Sequence, residues 1–417
     1  MEFEVDGKKK LELLDLYVDK LKCKSIFANE LYLYFYFGKE KNGTVKYSIL
    51  LMLYFVLLFV SIPVYLLFLP LFTLVCFFYL LCALFSNCEE KISGKIVIIR
   101  SVATFDKIVK YSRLNNIDIL SESIVYKNND IPKIYSFLSF LDIICIVLRF
   151  PFQIIMDFKE LLTDTNHMLG KGMVANVFYY YLYRIPLSSL YFLTLKSIIR
   201  KYNINALYTG NKEDRFAFIE DKVCRKYNVN LICIPHGIEY GFKLPLGMVG
   251  NKFYTTTENA KKELNNKYKT KKFVYSDDVA NLMFKKECLK IEVDKKVVFF
   301  TEARDINVNK EIIAELINLD VDFFVKLHPK DNERNYSTDV KFINDFDFAI
   351  TNSICICRKS TVLLEALYND SIALAVLLNE DDRFYVCNVF PSLSDKRIQK
   401  VNSIFELRTK ILELGLK

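Results

Sequence analysis

The strongest constraint on this chain is a run of 42 residues, from Tyr47 to Cys88, without a charged side chain. A bilayer core needs about 20 helical residues, whereas one straight helix of this length would extend about 63 Å. Pro63 and Pro70 fall near the middle of the run, and proline favours a break in a helix. We therefore predict a membrane hairpin with helices at residues 47–63 and 66–85.

The flanks and the turn of this run bear on its topology. Lysines lie on both sides of it, for example Lys46 before and Lys91 after, which predicts cytoplasmic ends. The opening residues of the chain do not resemble a signal peptide. Because the turn at residues 61–65 is nearly apolar, a re-entrant hairpin is an alternative to a spanning one. A buried helical pair in a soluble domain is the third interpretation.

A second apolar region covers residues 134–162. Asp142, Arg149 and Asp157 interrupt it, so it resembles a spanning helix less than the first run does. An interfacial helix pair that covers a lipid-linked acceptor fits this pattern. An ordinary buried helix fits it equally well.

The overall charge limits the classes of partner. Lys and Arg number 57 against 49 Asp and Glu, a formal charge of +8. This modest excess suits an anionic membrane surface or nucleotide substrates, and its dispersion argues against a nucleic-acid partner. The eleven cysteines include Cys355 and Cys357, which lack a second pair at zinc spacing, so we expect reduced thiols.

Beyond the hairpin, apolar strand candidates alternate with helix candidates, which predicts parallel sheets. Two such series predict two Rossmann-like domains that face a cleft. The predicted strands are 95–99, 117–125, 206–209, 230–234, 252–256, 296–301, 323–325 and 348–350. The main predicted helices are 104–114, 173–202, 213–227, 258–266 and 403–414.

The most informative motif follows the predicted strand 323–325. Leu327 is followed by His328, Pro329 and Lys330, and Ser360 and Thr361 later precede a predicted helix. Ligands of open α/β sheets bind where strands end and helices begin, and this set suits a phosphate or diphosphate. Glu365 comes one helical turn after Thr361, where it would accept hydrogen bonds from a ribose or base, or face a neighbouring loop. The alternative for His328 is a hydrogen bond to a backbone group.

Two further sets of residues follow strand candidates. His236 and Gly237 come after the strand 230–234, where Gly237 allows a sharp turn and His236 could contact an acceptor or phosphate, transfer a proton, or face solvent. Gly210, Glu213 and Asp214 follow the strand 206–209. Either carboxylate could serve as a general base, or both could simply favour a helix N-terminus.

Several common site motifs are absent from the sequence. It contains no Walker motif, no G-x-G-x-x-G, no nucleophile elbow and no zinc-spaced set of His and Cys. We discount Asp345 and Asp347 as a metal motif because Asp347 begins the predicted strand. The sequence therefore predicts chemistry that needs neither a metal nor a cofactor.

These motifs resemble those of GT-B glycosyltransferases that build bacterial surface polysaccharides. The resemblance extends to sialyltransferases and polysialyltransferases, capsule Kdo transferases and CDP-glycerol glycerophosphotransferases. Leu327-His328-Pro329 resembles the His-Pro motif of bacterial sialyltransferases, and Ser360-Thr361 their Ser-Ser/Ser-Thr motif. Pro235-His236-Gly237 resembles the His-Gly step of capsule and teichoic acid enzymes. Glu213-Asp214 matches the acidic pair of sialyltransferases, except that Arg215 stands where they have Gly.

The resemblance implies an inverting glycosyltransferase at the bacterial inner (cytoplasmic) membrane, with its catalytic domains in the cytoplasm. A CMP-linked sugar would be the donor, and a lipid-linked, lipopolysaccharide or capsule glycan the acceptor. His328, Pro329, Lys330, Ser360, Thr361 and Glu365 would bind the donor, and Asp214, Glu213 or His236 would be the base. The alternatives are a CDP-polyol phosphotransferase of the teichoic-acid type and a non-catalytic scaffold for polysaccharide assembly.

The expected organisation has four parts. Residues 1–46 form a cytoplasmic segment and 47–88 the membrane hairpin. Residues 95–280 form a Rossmann-like acceptor domain that contains the apolar insert 134–162. Residues 294–417 form a Rossmann-like donor domain.

Overall fold

The structure is a computed structural model. It describes residues 63, 66–85, 92–122, 130–168, 170–210, 212, 214, 216–234, 237–244, 246–286, 295–303, 305–337 and 340–414, with only the backbone at 103, 158, 160–168, 170–184 and 246. Residues 47–62 of the first helix predicted for the hairpin therefore lie outside the described residues, and so do Glu213 and His236.

The first sheet has six strands in the order β2-β1-β3-β4-β5-β6. The pairings from β2 through β5 are parallel. The strands are β1 Lys95–Ile99, β2 Asp118–Ser121, β3 Ala206–Thr209, β4 Asn230–Cys233, β5 Lys252–Thr255 and β6 Phe273–Tyr275.

The second sheet also has six strands, in the order β12-β11-β10-β7-β8-β9, and all of its pairings are parallel. Its strands are β7 Lys296–Phe300, β8 Phe323–Lys326, β9 Lys341–Phe342, β10 Ser353–Cys357, β11 Ile372–Val376 and β12 Gln399–Val401. Numbered from β7, this is the 3-2-1-4-5-6 order of the Rossmann fold. The prediction of an α/β chain with two Rossmann-like sheets, the GT-B fold class, is confirmed.

Helices connect these strands. They are α1 Leu66–Leu84, α2 Val102–Leu114, α3 Phe140–Met168, α4 Gly170–Lys201, α5 Ala217–Tyr227, α6 Leu246–Val249, α7 Glu258–Tyr268, α8 Asp277–Phe284, α9 Ile306–Asn318, α10 Phe346–Ile350, α11 Val362–Leu367, α12 Glu380–Phe384 and α13 Ile404–Glu413.

Hydroxyl caps explain where several helices begin. Ser101 accepts a hydrogen bond from the N–H of Thr104 at the start of α2. Thr257 and Ser403 do the same at α7 and α13. Each cap satisfies one of the N–H groups that a first turn leaves without a helical partner.

The chain forms two compact units. The N-terminal unit contains the described parts of residues 63–236 together with 244–253, and the C-terminal unit contains 237–243 and 254–414. The short segment 237–243 therefore belongs to the C-terminal unit, although it directly follows the residues after β4. In the C-terminal unit, apolar side chains such as Phe299, Val325 and Ile356 pack against Leu316 of α9 to form the core.

One predicted strand is wrong. Residues 348–350 lie in α10, and the strand that follows is β10, Ser353–Cys357. Asp345 caps α10 by accepting a hydrogen bond from the N–H of Phe348, 3.0 Å away. Three apolar residues are too few to distinguish a strand from a helical turn.

The described part of the hairpin region is α1. It has 19 residues, an 18-residue window of which has a mean hydropathy of 2.5, and among the described helices it alone is long and apolar enough to cross a bilayer. Nine of its 19 residues are exposed, whereas Cys76, Leu80 and Ala83 form one buried face. The insert predicted at 134–162 forms a short 3-10 turn, Ile134–Phe137, and the first 23 of the 29 residues of α3.

Candidate functional site

The carboxyl edge of the second sheet holds the residues that the sequence predicted to bind a donor. The strand order reverses direction between β7 and β10, and open α/β sheets bind ligands at this switch point. Thr301 follows β7, His328 follows β8, and Ser360 and Thr361 follow β10. The structure therefore brings these residues to one edge, where the strands β8 and β10 that precede His328 and Ser360 lie two strand spacings apart, about 10 Å.

His328 is held by two hydrogen bonds. Its backbone N–H donates to Oγ1 of Thr301 at 3.0 Å, and its Nδ1 accepts from the backbone N–H of Lys330 at 3.1 Å. Since Nδ1 is an acceptor, the proton of the neutral imidazole lies on Nε2. The half-buried ring can thus offer an Nε2–H donor at the sheet edge.

The protonation of His328 follows from its surroundings. Burial lowers the pKa of the imidazole below its usual 6.5, the charge of Lys330 lowers it further, and Asp331 opposes the shift. The neutral form is therefore favoured near pH 7. Pro329 and Lys330 are both exposed at the tip of the loop.

The loop after β8 is braced by Asp331. Its carboxylate accepts hydrogen bonds from the hydroxyl of Tyr336 at 2.5 Å and the side-chain amide of Asn335 at 2.9 Å. Burial alone would raise the pKa of Asp331, but hydrogen bonds, Tyr336 first among them, lower it below its usual value. Asn309 of α9 donates to the Tyr336 hydroxyl at 2.9 Å, which ties the loop to the unit's core.

Ser360 and Thr361 lie half-buried before α11. Oγ of Ser360 accepts from the N–H of Val362 at 3.3 Å, and the carbonyl of Thr361 accepts from the N–H of Glu365 at 2.9 Å. Glu365 itself is only 6% exposed. The predicted contact of Glu365 with a ribose or base remains a prediction, and it would require a ligand that reaches a buried carboxylate.

The two cations after β10 form ion pairs with carboxylates of α12. Arg358 bonds Asp382 of α12 at 2.6 Å, with both side chains fully buried. Lys359 pairs with Asp381 and, at 3.0 Å, with Asp382. Burial would lower the pKa of Lys359, but its bonds to Asp381 and Asp382 raise it. These two cations stabilise the edge, and sequence reasoning missed their partners, which lie more than twenty residues along the chain.

Gly237 lies beside Thr361 within the C-terminal unit. A β-carbon built on Gly237 would come 3.9 Å from Cγ2 of Thr361, an ordinary contact distance. The structure thus joins two sets of residues that the sequence treated separately. His236, the neighbour of Gly237, lies outside the described residues.

A buried carboxylate fixes the segment 237–243 in place. Glu239 is 3% exposed, and it accepts hydrogen bonds from the backbone N–H of Thr256, from its hydroxyl at 2.8 Å, and from Ser392. Burial raises the pKa of Glu239, and these hydrogen bonds only partly offset that effect. The sequence analysis gave Glu239 no role.

The N-terminal unit has a charged cluster at the corresponding edge of its sheet. Arg100 follows β1, and its guanidinium bonds Asp214 through Nε at 2.6 Å and Nη2 at 3.2 Å. Arg100 also bonds Glu220 of α5 and, at 3.3 Å, the hydroxyl of Thr209. Burial would lower the pKa of Arg100, but the charges of Asp214 and Glu220 raise it well above its usual value.

Asp214, the predicted base, therefore has a strong local partner. Its Oδ1 also accepts from the N–H of Phe216 at 2.9 Å, just before α5 begins at Ala217. The helix thus begins four residues later than predicted. Gly210 is tightly packed: a β-carbon there would lie 2.5 Å from Cγ2 of Thr104. Whether Asp214 or Glu213 removes a proton remains a prediction.

Metal ligands do not cluster in the described part of the chain. No group of three or more His, Cys, Asp or Glu side chains there could hold a metal ion. Cys355 and Cys357 are fully buried thiols on β10. Burial raises the pKa of Cys355 to about 12.

Comparisons with known proteins find similarity at the level of structure alone. No protein-family model matches the chain, and no curated protein matches its sequence at a significant level. UDP-GlcNAc 2-epimerase from Neisseria meningitidis bound to UDP-GlcNAc is similar with a TM-score of 0.43 and 10% identity over 77% of this chain and 90% of that one.

Two glycosyltransferases are similar to about the same extent. For CalG4, the calicheamicin glycosyltransferase, the TM-score is 0.40 and the identity 8%, over 79% of this chain and 91% of that chain. For the E. coli heptosyltransferase WaaC with ADP-2-deoxy-2-fluoro heptose, the values are 0.34 and 10%, over 77% and 98%. Similarities of this size carry no conclusion about activity, so the function must be argued from the residues themselves.

Proposed function

We propose that the protein is a membrane-anchored, inverting glycosyltransferase. Its donor would be a nucleotide-activated sugar, and a CMP-linked sugar is the donor that we expect. The single observation that carries the proposal is the grouping of Thr301, His328, Ser360 and Thr361 at the switch point of a Rossmann-ordered sheet. A lipid-linked, lipopolysaccharide or capsule glycan would be the acceptor. The bacterial inner membrane would be the site of action.

Binding of the nucleotide sugar would depend on N–H and O–H groups that donate hydrogen bonds to its phosphate. Nε2–H of His328 and the exposed ammonium of Lys330 would contact the nucleotide phosphate from the loop after β8. The hydroxyls of Ser360 and Thr361 would contact it from the β10 side. As the glycosidic bond breaks, negative charge grows on the departing phosphate, and fixed donors stabilise that charge more than they stabilise the bound substrate.

Acceptor activation is assigned to the N-terminal unit. Asp214 would remove the proton of the acceptor hydroxyl, with Glu213 and His236 as the alternatives. The bond from Nε of Arg100 fixes the orientation of the Asp214 carboxylate. Direct attack by the activated hydroxyl would displace the nucleotide and invert the anomeric centre.

The first experiment is a thermal-shift titration of the detergent-purified protein with CMP, CDP, UDP, GDP and ADP. A ligand that binds only the folded state raises its stability by RT ln(1 + [L]/Kd), which is about 2.7 kcal/mol at a hundredfold excess over Kd. A shift with CMP supports a CMP-linked sugar donor. A preference for CDP would favour a CDP-polyol donor instead, and the absence of any shift would favour a non-catalytic scaffold.

Matched variants locate the binding site. His328→Ala and Lys330→Ala should each weaken the nucleotide shift, whereas Lys341→Ala, an exposed lysine on β9, should leave it unchanged. Asp214→Asn should retain the nucleotide shift but lower the transfer rate by two or more orders of magnitude, about the size of a general-base contribution. Equal shifts for His328→Ala and Lys341→Ala would contradict the proposed donor site.

A further inference from the structure

Helix α3 leaves an apolar face uncovered in the N-terminal unit. Its large exposed side chains include Leu141, Leu148, Phe152 and Ile155, which are 47–73% exposed. Their spacings of seven, four and three residues place them on one side of an α-helix, within about 60° of arc. We call these four residues, together with Cys145 between the first two, the α3 stripe.

The opposite face of α3 is buried. Ile143, Ile146, Phe150 and Ile154 are at most 3% exposed. Polar bonds fix the helix against α4: Ser189 donates to Asp157 at 2.6 Å, and Ser197 donates to Asp142 at 2.7 Å. The orientation of α3 is therefore fixed by its packing, and the α3 stripe faces outward as a consequence.

Arg149 directly follows Leu148, so α3 carries a cation at the margin of the α3 stripe, and three further cations lie on α4 and at the end of α5. Arg149 of α3 and Arg200 of α4 are exposed, Lys196 of α4 is half-buried, and Lys226 at the end of α5 is exposed. Burial lowers the pKa of Lys196, and the positive charges of Lys226, Arg149 and Arg200 lower it further. We call these four residues the basic cluster.

The same unit carries a second apolar surface. The N-terminal half of α1 exposes residues such as Leu67 and Leu71. Near its other end, Tyr79 packs edge-on against the buried ring of Tyr135, 5.3 Å between centroids, five residues before α3 begins. An apolar helix and an amphipathic helix thus belong to one packed unit, as expected for a protein held at a bilayer.

We infer that the α3 stripe and the basic cluster form a docking face for an anionic lipid bilayer, with α3 lying in the plane of the interface. An apolar helical face that inserts about 5–10 Å and is flanked by cations is the pattern of interfacial helices. The basic cluster would be attracted to an anionic lipid leaflet, whereas it would repel a partner whose own surface is positively charged. The inference rests on the membrane part of the proposed function and is independent of the sugar donor.

The native cysteines allow a test without any substitution. Cys145 is exposed within the α3 stripe, and Cys387 is exposed in the C-terminal unit. We would treat the full chain in phosphatidylcholine vesicles, with and without phosphatidylglycerol, with a membrane-impermeant maleimide and quantify each cysteine by peptide mass spectrometry. Labelling of Cys145 should slow markedly in the anionic vesicles, while labelling of Cys387 should not change between lipid compositions.

A fluorescence reporter gives an independent measurement. The chain contains no tryptophan, so Phe152→Trp places a single reporter in the stripe, and Phe405→Trp, 75% exposed on α13, is the control. In anionic vesicles with brominated lipid, Phe152→Trp should emit at shorter wavelength and lose most of its intensity, and Phe405→Trp should do neither. Adding Arg149→Gln and Arg200→Gln to Phe152→Trp should lower the partition constant for anionic vesicles by about fivefold per charge removed.

Three results would overturn the inference. Equal quenching of the two reporters would place the α3 stripe outside the bilayer. Equal quenching of Phe152→Trp in neutral and anionic vesicles would show that the basic cluster does not contribute to docking. Protection of Cys145 that depends on protein concentration in detergent would show that a second copy of the chain covers the stripe. Nucleotide binding is read separately, so failure here is distinguishable from failure of the proposed chemistry.

Discussion

Nδ1 of His328 accepts a hydrogen bond from the backbone N–H of Lys330, 3.1 Å away. The bond selects the tautomer of the neutral ring, and the Lys330 side chain contributes to keeping the ring neutral. Lys330 thus orients the proposed phosphate-binding imidazole and, together with burial, favours its neutral form. This relationship makes the ionisation of His328 a direct test of the site's geometry.

We predict that His328 titrates below pH 6.5. Because its pKa is lowered in the folded state, the stabilising effect of the neutral ring is complete above 6.5 and is lost as pH falls through the folded pKa. NMR of histidine-labelled protein can follow the titration of the His328 ring, because the chain has three histidines and the variant His328→Gln identifies which resonance belongs to His328. Lys330→Met should raise the midpoint, and an unchanged midpoint would contradict the assigned cause.

Arg100 should be essential to the stability of the N-terminal unit. Arg100→Met leaves the buried Glu220 carboxylate without its cation, which costs about 3–5 kcal/mol and lowers Tm by on the order of 10 °C. Lys341→Met is the control, because Lys341 and Asp322 form an exposed pair that contributes less than about 1 kcal/mol. Comparable losses in the two variants, measured by circular dichroism, would contradict this account.

Glu239 should make stability depend on pH in the opposite sense to His328. Because the pKa of Glu239 is raised in the folded state, the contribution of its protonated carboxyl to stability is complete below the usual pKa near 4.5. This contribution declines as the pH rises through the folded pKa. Glu239→Gln keeps the shape and cannot ionise. The Tm of the variant relative to the native protein should therefore increase from pH 5 to pH 8, and a difference that is constant with pH would argue against the predicted ionisation.

The two site glycines should respond differently to the same change. Gly210→Ala brings a methyl group to 2.5 Å from Thr104, an overpacking that costs about 1–3 kcal/mol. Gly237→Ala makes an ordinary contact at 3.9 Å with Thr361 and should be tolerated. Thr104→Ser removes the clashing methyl, so it should partly restore the Tm of Gly210→Ala but have no such effect on Gly237→Ala.

The sequence predicted the strands well where apolar runs are long. The predicted strands 95–99 and 206–209 match β1 and β3, because four or five successive apolar or β-branched residues suit a strand buried on both faces. The run at 348–350 is too short for this rule. Its helix begins with a cap at Asp345, which the apolar pattern alone does not reveal.

The sequence could place His328 and Ser360 at one sheet edge, since parallel strands end together. It could not reveal the partners of buried charges. Arg100 pairs with Asp214 and Glu220 across more than one hundred residues of chain, and no local pattern signals such a pair. The anchoring of Glu239 by Ser392 was unpredictable for the same reason.

The ion pairs after β10 have a consequence for how fast a nucleotide could arrive. Arg358 and Lys359 pair with Asp382 and Asp381, so the two cations that directly precede Ser360 in the chain contribute little net electrostatic field at long range. Attraction over distances beyond about 10 Å would then depend on exposed charges such as Lys330. The association rate of a nucleotide should accordingly vary little with ionic strength, because capture at this edge depends on short-range fit more than on electrostatic steering.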